Sequence, residues 1–291
     1  MKQIGIVGAG IMAAGMAQNF LKHGYKVSVW NRSAERLQSL LKSGATKAET
    51  PGKLTASSDI VIECVSDDKA SKSVWLGEEG ILATATNDKV LIASSSLSLE
   101  WIDKLASLCR DKGFQFMDMP LTGSRAGAEN GTLRLLVGAD EKVLESVRSE
   151  LEAIAEKIYL FGKPGSGMRF KLVLNTLIGI HMNAAAQARE MATKAGIDPA
   201  MFAHALIDGS MGPTSPATKL VLDSVNWPEG HVNFAVQWLE KDLRYAQKMA
   251  QAYDVNFDLL NDTQKDYADY KNRGYGDTDV TSISKLFSDR Q

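Results

Sequence analysis

Ile4-Gly5-Ile6-Val7-Gly8-Ala9-Gly10-Ile11-Met12-Ala13-Ala14-Gly15-Met16-Ala17-Gln18-Asn19-Phe20-Leu21 decides how the rest of the chain is read. A β-branched run (Ile4, Ile6, Val7) meets Gly8 and Gly10 and passes into an alanine- and methionine-rich helical pattern. That is the strand, tight turn and helix of a dinucleotide-binding βαβ unit. Gly8 permits the turn, Gly10 lets the backbone approach a pyrophosphate, and Ala13 takes the close-packing position. The free N–H groups of the new helix then face the phosphates. A second strand-like run, Lys26 to Asn31, follows at the spacing such a unit needs. The rival reading is a membrane element, because the stretch holds 18 uncharged residues. Its glycines, with Gln18 and Asn19 in the second half, argue against a span. Lys2 alone, with no A-x-A-like site, makes a poor signal peptide.

Composition narrows the classes further. At 291 residues the chain is long enough for two domains. A net charge of −2 supplies neither a basic field for nucleic acid nor a polybasic patch for a membrane surface. Cys64 and Cys109 make no metal spacing and read as reduced thiols of a cytoplasm-like compartment. His23, His181, His204 and His231 are scattered, so no metal site is expected.

Outward from the opening unit, strand and helix patterns alternate. A helix is expected at about 34–41, strands at 59–65 and 89–93, and an amphipathic helix at 99–109. Further strands are expected at 114–119 and 133–137, then a helix at about 141–156, with the pattern ending near 158–161. Strands separated by helices imply an α/β fold with a mostly parallel, doubly wound Rossmann-type sheet. Gly162-Lys163-Pro164-Gly165-Ser166-Gly167 punctuates the chain, placing a boundary between a nucleotide-binding domain, 1–163, and a second domain, 164–291. The second begins with a helix over 168–195, roughly 40 Å long and apolar on nearly every face, hence buried within a domain or against a partner subunit. Helices at about 199–207, 215–223, 233–252 and 255–272 make this domain all-helical.

The second strand of a dinucleotide fold usually ends in an acid that binds the ribose 2′-OH of NAD. Here Asn31-Arg32-Ser33 stands instead. Asn31 removes a charge that would repel a 2′-phosphate, Arg32 offers a guanidinium fork, and Ser33 adds a hydroxyl. Together they point to NADP. The alternative is a solvated arginine beside a helix capped by Ser33.

Lys171 is the candidate catalytic residue, on an otherwise apolar helix with Asn175 four residues later on the same face. Burying an ammonium is costly without a use for it. The alternative is a lysine near a helix start that snorkels to solvent.

With these residues assembled, the chain resembles the β-hydroxyacid dehydrogenase family over nearly its whole length. Gly8-Ala9-Gly10-Ile11-Met12-Ala13-Ala14-Gly15-Met16-Ala17 is similar to the family's G-x-G-x-M-G-x-x-M-A. Asp118-Met119-Pro120-Leu121-Thr122-Gly123, continuing to Gly131-Thr132-Leu133, resembles its D-x-P-V-S-G…G-T-L substrate loop. Gly165 to Lys171 with Asn175 resembles its G-x-G-x-x-x-K-x-x-x-N helix, and Lys241-Asp242-Leu243 its C-terminal K-D-L. Phe234 and Asn31-Arg32 tilt the likeness toward NADPH-using glyoxylate/succinic semialdehyde reductases. Thr122 replaces the usual serine, and Ser124-Arg125 the common glycine.

The resemblance implies hydride transfer from NADPH to the carbonyl of a short carboxylate-bearing aldehyde or 2-oxo acid, or the reverse oxidation. Lys171 would act as general acid/base, with Asn175 holding it or the substrate oxygen. It implies cofactor contacts from Gly8, Gly10, Ile11, Met12, Asn31, Arg32, Ser33, Val65, Ser66, Ser96 and Lys241. Substrate contacts would come from Ser96, Leu121, Thr122, Gly123, Phe234 and Asp242. It also implies a homodimer or homotetramer. Two alternatives stand beside it: an imine reductase on the same scaffold, against which Lys171 counts, and a non-catalytic NADP-binding interaction protein.

Overall fold

The computed structural model describes residues 1–207, 215–224, 227, 228 and 230–288. In chain order the first half runs β1 (Gln3–Val7), α1 (Ile11–Lys22), β2 (Lys26–Trp30), a 3-10 turn (Ala34–Leu37), α2 (Gln38–Lys42), β3 (Thr46–Lys47), α3 (Pro51–Ala56), β4 (Ile60–Glu63), α4 (Asp68–Leu76), α5 (Ile81–Thr84), β5 (Val90–Ala93) and α6 (Leu99–Asp111). It continues through β6 (Gln115–Asp118), β7 (Leu121–Thr122), α7 (Ser124–Asn130), β8 (Leu133–Gly138), α8 (Glu141–Glu145), α9 (Arg148–Leu151) and β9 (Ala155–Gly162). Then come α10 (Ser166–Lys194), α11 (Pro199–Ile207), α12 (Pro216–Asp223), α13 (Val236–Ala252), α14 (Asp258–Tyr270) and α15 (Ser284–Ser288). Two compact units divide at Lys171/Leu172.

The first unit is built on one sheet of order β3-β2-β1-β4-β5-β6-β8-β7, with β9 pairing β8. β1 through β6 pair in parallel. β8 runs antiparallel to β6 and β7, and β9 returns parallel to β8. Alternate residues fill opposite faces. Ile4, Ile6, Ile60, Ile62 and Ile92 enter one apolar cluster with α1, while Val7, Val61, Leu91 and Ala93 enter another with Trp75 and Trp101. Both faces are therefore covered, as a parallel sheet requires. The strand order reverses between β1 and β4, and the crevice outside their carboxyl ends is where such sheets bind ligands.

The expected helix over 141–156 is not one helix. The chain breaks at Ser146–Val147, where Val147 takes φ −129° with its side chain fully buried, and from Ala155 it becomes β9. Burying that valine under the sheet outweighs continuing a charged, solvent-facing helix. The short strand β7 and helix α7 had no periodic signal strong enough to read.

The second unit is helical. α10, whose first residues belong to the first unit, is a single helix; in the single chain Met168 and Leu172 are fully buried, whereas Phe170, Val173 and Leu177 are 38%, 47% and 45% exposed. α14 ends at Tyr270 in a π-helical turn, Lys271–Tyr275, and Asp279 forms a β-bridge with Ala235. Among the described residues no helix is long and apolar enough to cross a membrane.

Candidate active site

Gly8 lies where β1 meets β4. Its φ of +123° suits only glycine, and a Cβ there would sit 2.1 Å from the Cys64 carbonyl oxygen. Gly10 differs. It occupies the N-cap of α1 in ordinary extended backbone, and a Cβ would meet nothing within 4 Å. The first turn of α1 carries no acidic residue and no side-chain cap. An open space before uncapped N–H groups suits a pyrophosphate, so these residues fit a dinucleotide. Ile11, at 41% exposure, and half-buried Met12 stand at the same helix start.

The end of β2 is stitched to this turn. The Ala9 N–H donates to Asn31 Oδ1 (3.1 Å), and Asn31 Nδ2 donates to the Ser33 carbonyl (2.9 Å). Asn31 thus does more than remove a charge, because an aspartate there would lack the second donor. Arg32 is exposed. Ser33 occupies the N-cap of the following 3-10 turn, but its hydroxyl makes no capping bond.

Beyond β4 and β5 the chain forms two neighbouring turns. The Val65 N–H donates to Ser95 Oγ (2.7 Å), and Ser95 Oγ donates to Oε1 of Glu63 (2.8 Å). Glu63 is fully buried. Desolvation pushes its carboxyl up to about 7, against the Ser95 hydrogen bond and the nearby Ser71 and Trp75 donor groups. Ser66 is exposed and Ser96 half-buried beside these turns.

The loop Leu121–Thr122–Gly123 is held on one side by pairing with Leu135 and Arg134 of β8. Behind it α7 lies against α1 so closely that a Cβ on Gly15 would sit 2.6 Å from the Ala128 carbonyl oxygen. Asn19 Nδ2 caps that helix by donating to the Ala128 carbonyl (2.7 Å). Ser124 enters α7 at φ +52°, a left-handed conformation that favours glycine.

Asp118, buried at the end of β6, anchors the start of α10. Its Oδ1 accepts from the Gly165 N–H and its Oδ2 from the Met168 N–H (2.7 Å). Burial pushes this carboxyl up to about 7, opposed by those N–H donors and by Arg169. Arg169 in turn grips Asp103 of α6 (2.8 Å), and Phe161 stacks on Phe170 at 4.0 Å. Lys171 completes this anchored turn. At 8% exposure it does not snorkel to solvent.

The second unit has its own polar cluster. Asn175 Nδ2 donates to Asp242 Oδ2 (2.6 Å), and Asp242 Oδ1 lies 3.2 Å from Lys241 Nζ. The Lys241 ammonium lies over the Trp238 and Tyr245 rings (5.9 and 5.5 Å). All three polar residues are buried. The Phe234 N–H donates to Asp279 Oδ2 (3.1 Å), which fixes the backbone before α13.

Comparison with known proteins places this architecture. A family model for the NAD-binding domain of 6-phosphogluconate dehydrogenase matches residues 3–162. A second, for the NAD-binding region of NADP-dependent 3-hydroxyisobutyrate dehydrogenase, matches residues 165–287. The chain belongs to the β-hydroxyacid dehydrogenase family. An uncharacterized oxidoreductase of Synechocystis sp. is 33% identical over 86% of this chain and 87% of its own. Glyoxylate/succinic semialdehyde reductase 1 of Arabidopsis thaliana is 28% identical over 97% and 96%. A 3-hydroxyisobutyrate dehydrogenase from Salmonella typhimurium shares the fold, with a TM-score of 0.87 at 23% identity over 99% and 100% of the two chains.

In this NAD(P)-dependent hydroxyacid dehydrogenase, the first unit joins Gly8, Gly10, Asn31 and Ser33 around one turn, and Val65 to the residue preceding Ser96. Asn175, Lys241 and Asp242 are joined in the second unit. Sequence reading missed Glu63, its tie through Ser95, Asn19 and the anchoring role of Asp118. A carboxylate closing the apolar strand Ile60-Val61-Ile62 was the available signal for Glu63.

Proposed function

We propose that this protein uses NADPH to reduce the carbonyl of a short carboxylate-bearing aldehyde or 2-oxo acid of the glyoxylate or succinic semialdehyde type, or runs the reverse oxidation of a β-hydroxyacid. The observation that carries this reading is Lys171: a buried lysine on an apolar helix whose first turn is held by Asp118. Bound nicotinamide supplies the hydride. Lys171 Nζ hydrogen-bonds the carbonyl oxygen and gives it a proton as negative charge develops there. Asn175, fixed by Asp242, orients the lysine or the substrate oxygen. Thr122 and Gly123 receive the carboxylate through hydroxyl and backbone N–H, with Ser96, Leu121, Phe234 and Asp242 completing the substrate contacts. Gly8, Gly10, Ile11, Met12, Val65, Ser66, Ser96 and Lys241 hold the cofactor.

Exposed Arg32 supports NADPH over NADH, since its guanidinium is available for a 2′-phosphate and no carboxylate at Asn31 repels one. Phe170, Val173 and Leu177, left exposed along one helix, support a homodimer or homotetramer built through it. Sedimentation at micromolar concentration should exceed a 31.6 kDa monomer. Only two cysteines, Cys64 and Cys109, occur in the 291 residues, and read as reduced thiols they support a reducing, cytoplasmic compartment.

The test is steady-state turnover with NADPH and NADH against glyoxylate, succinic semialdehyde and a panel of cyclic imines. Aldehyde reduction favouring NADPH is the expected result. Reduction of imines alone, or cofactor binding with no turnover on either class, would overturn the reading.

A further inference from the structure

The turns after β4 and β5 are tied from beneath by a group no part of the proposed chemistry uses. Glu63 ends β4 opposite Ala93 of β5, with its side chain fully enclosed. Ser95 is also buried, and its single hydroxyl proton goes to Glu63 Oε1, leaving its lone pairs for the Val65 N–H. A second tie runs alongside: Ser98 donates through N–H (2.9 Å) and Oγ to Asp68 at the start of α4. Glu63 Oε2 and Trp75 Nε1 have no hydrogen-bond partner of normal geometry among the described residues. An apolar side chain would close β4 without the cost of an enclosed carboxyl.

We propose that Glu63 is a positioning residue: through the Ser95 hydroxyl it fixes the Val65–Ser66 and Ser95–Ser96 turns for the nicotinamide half of the cofactor. The inference rests on the reading that these turns face cofactor and substrate. Its logic is one of hydrogen-bond polarity. As a carboxylate, Glu63 can only accept, so Ser95 must donate to it and accept from Val65. Once protonated, Glu63 can donate to Ser95 Oγ instead, which frees the Ser95 hydroxyl to rotate and removes the fixed polarity of the tie.

This carboxyl, raised to about 7, changes between those states in the physiological range. Strands β1 and β5 bring no ionisable side chain to it. Cys64 follows it in the chain. α4 and its cap carry Asp67, Asp68, Lys69 and Lys72, and α6 carries Glu100, Asp103, Lys104, Arg110 and Asp111. The shift itself has burial as its largest cause, opposed by the Ser95 hydrogen bond and the nearby Ser71 and Trp75 donor groups.

The test is NADPH affinity by fluorescence from about pH 6 to about pH 8, without substrate, for wild type, Glu63→Gln and Ser95→Ala. A phosphate monoester also titrates near pH 6, so the readout is the ratio of wild-type to Glu63→Gln dissociation constants. That ratio should fall about 3- to 10-fold as pH rises, because only wild type can gain the accept-only state. Ser95→Ala should weaken binding roughly 5- to 30-fold throughout, the scale of one orphaned N–H. Parallel wild-type and Glu63→Gln profiles would overturn the proposal, as would a Glu63→Gln variant that only melts earlier. If Ser95→Ala does not fold, the wild-type and Glu63→Gln pair still decides. The readout requires no turnover, so the expected fall in the ratio with no aldehyde reduction would remove the substrate reading and leave this one standing.

Discussion

Gly8 and Gly10 stand two residues apart in one turn, yet alanine should affect them in opposite ways. At Gly8 the φ of +123° strains any L side chain, and the added Cβ meets the Cys64 carbonyl oxygen at 2.1 Å. Backbone strain of about 1–3 kcal/mol and overpacking of about 1–3 kcal/mol sum to about 2–6 kcal/mol. Because β1 and β4 are central strands, neither can retreat without disturbing the sheet. At roughly 2–4 °C per kcal/mol for a unit of this size, Gly8→Ala should lower the melting temperature by about 4–24 °C.

Gly10 has room on every side. Gly10→Ala gives up a better N-cap but also restricts the unfolded chain. Each effect is about 0.5–1 kcal/mol and they oppose one another, so stability should stay within about 1 kcal/mol. Its methyl group instead occupies the space before the α1 N–H groups. Losing one charge-assisted phosphate contact there weakens NADPH binding about 10- to 150-fold. Differential scanning fluorimetry and NADPH fluorescence titration on both variants provide the readouts. A Gly10→Ala protein that binds NADPH normally would refute the placement of the pyrophosphate, and a Gly8→Ala protein that melts like wild type would refute the packing argument.

Two further outcomes are expected. Arg32→Ala should raise the NADPH Michaelis constant about 10- to 150-fold and leave NADH nearly unchanged; equal losses with both cofactors would show that Arg32 does not read the 2′-phosphate. Glu63 and Asp118 both titrate near 7 when folded, against 4.5 and 3.8 ordinarily, so each favours the fold in its protonated state. Their stabilising contribution is complete below the ordinary values and declines as pH rises through about 7. Calorimetry should therefore give a higher melting temperature at about pH 6 than at about pH 8, and the reverse order would contradict the raised values.

The sheet was legible because its strands are short apolar runs separated by helical periods, and the opening glycines fix where the order reverses. Periodicity failed where tertiary burial overrode it, as at Val147, which splits a charged helical pattern, and at Ala155, where β8 recruits the chain as a strand. Helical spacing singled out Lys171 and Asn175, and the family likeness Asp242; the Asn175–Asp242 bond, between residues 67 apart, carried no sequence signal. Neither revealed how Asp118 holds the α10 N-terminus or how Asn19 caps α7. Both act across 47 or more residues through backbone groups, which carry no side-chain pattern.

The central claim is that Lys171 donates the proton, and one comparison addresses it directly: aldehyde turnover and NADPH affinity of Lys171→Ala beside wild type, with Lys171→Arg as control. Turnover should fall about 10²- to 10⁴-fold, the usual contribution of a general acid, with NADPH affinity kept within about twofold. Lys171→Arg should recover little, because guanidinium does not release its proton near neutrality. Near-normal turnover in Lys171→Ala would contradict the account.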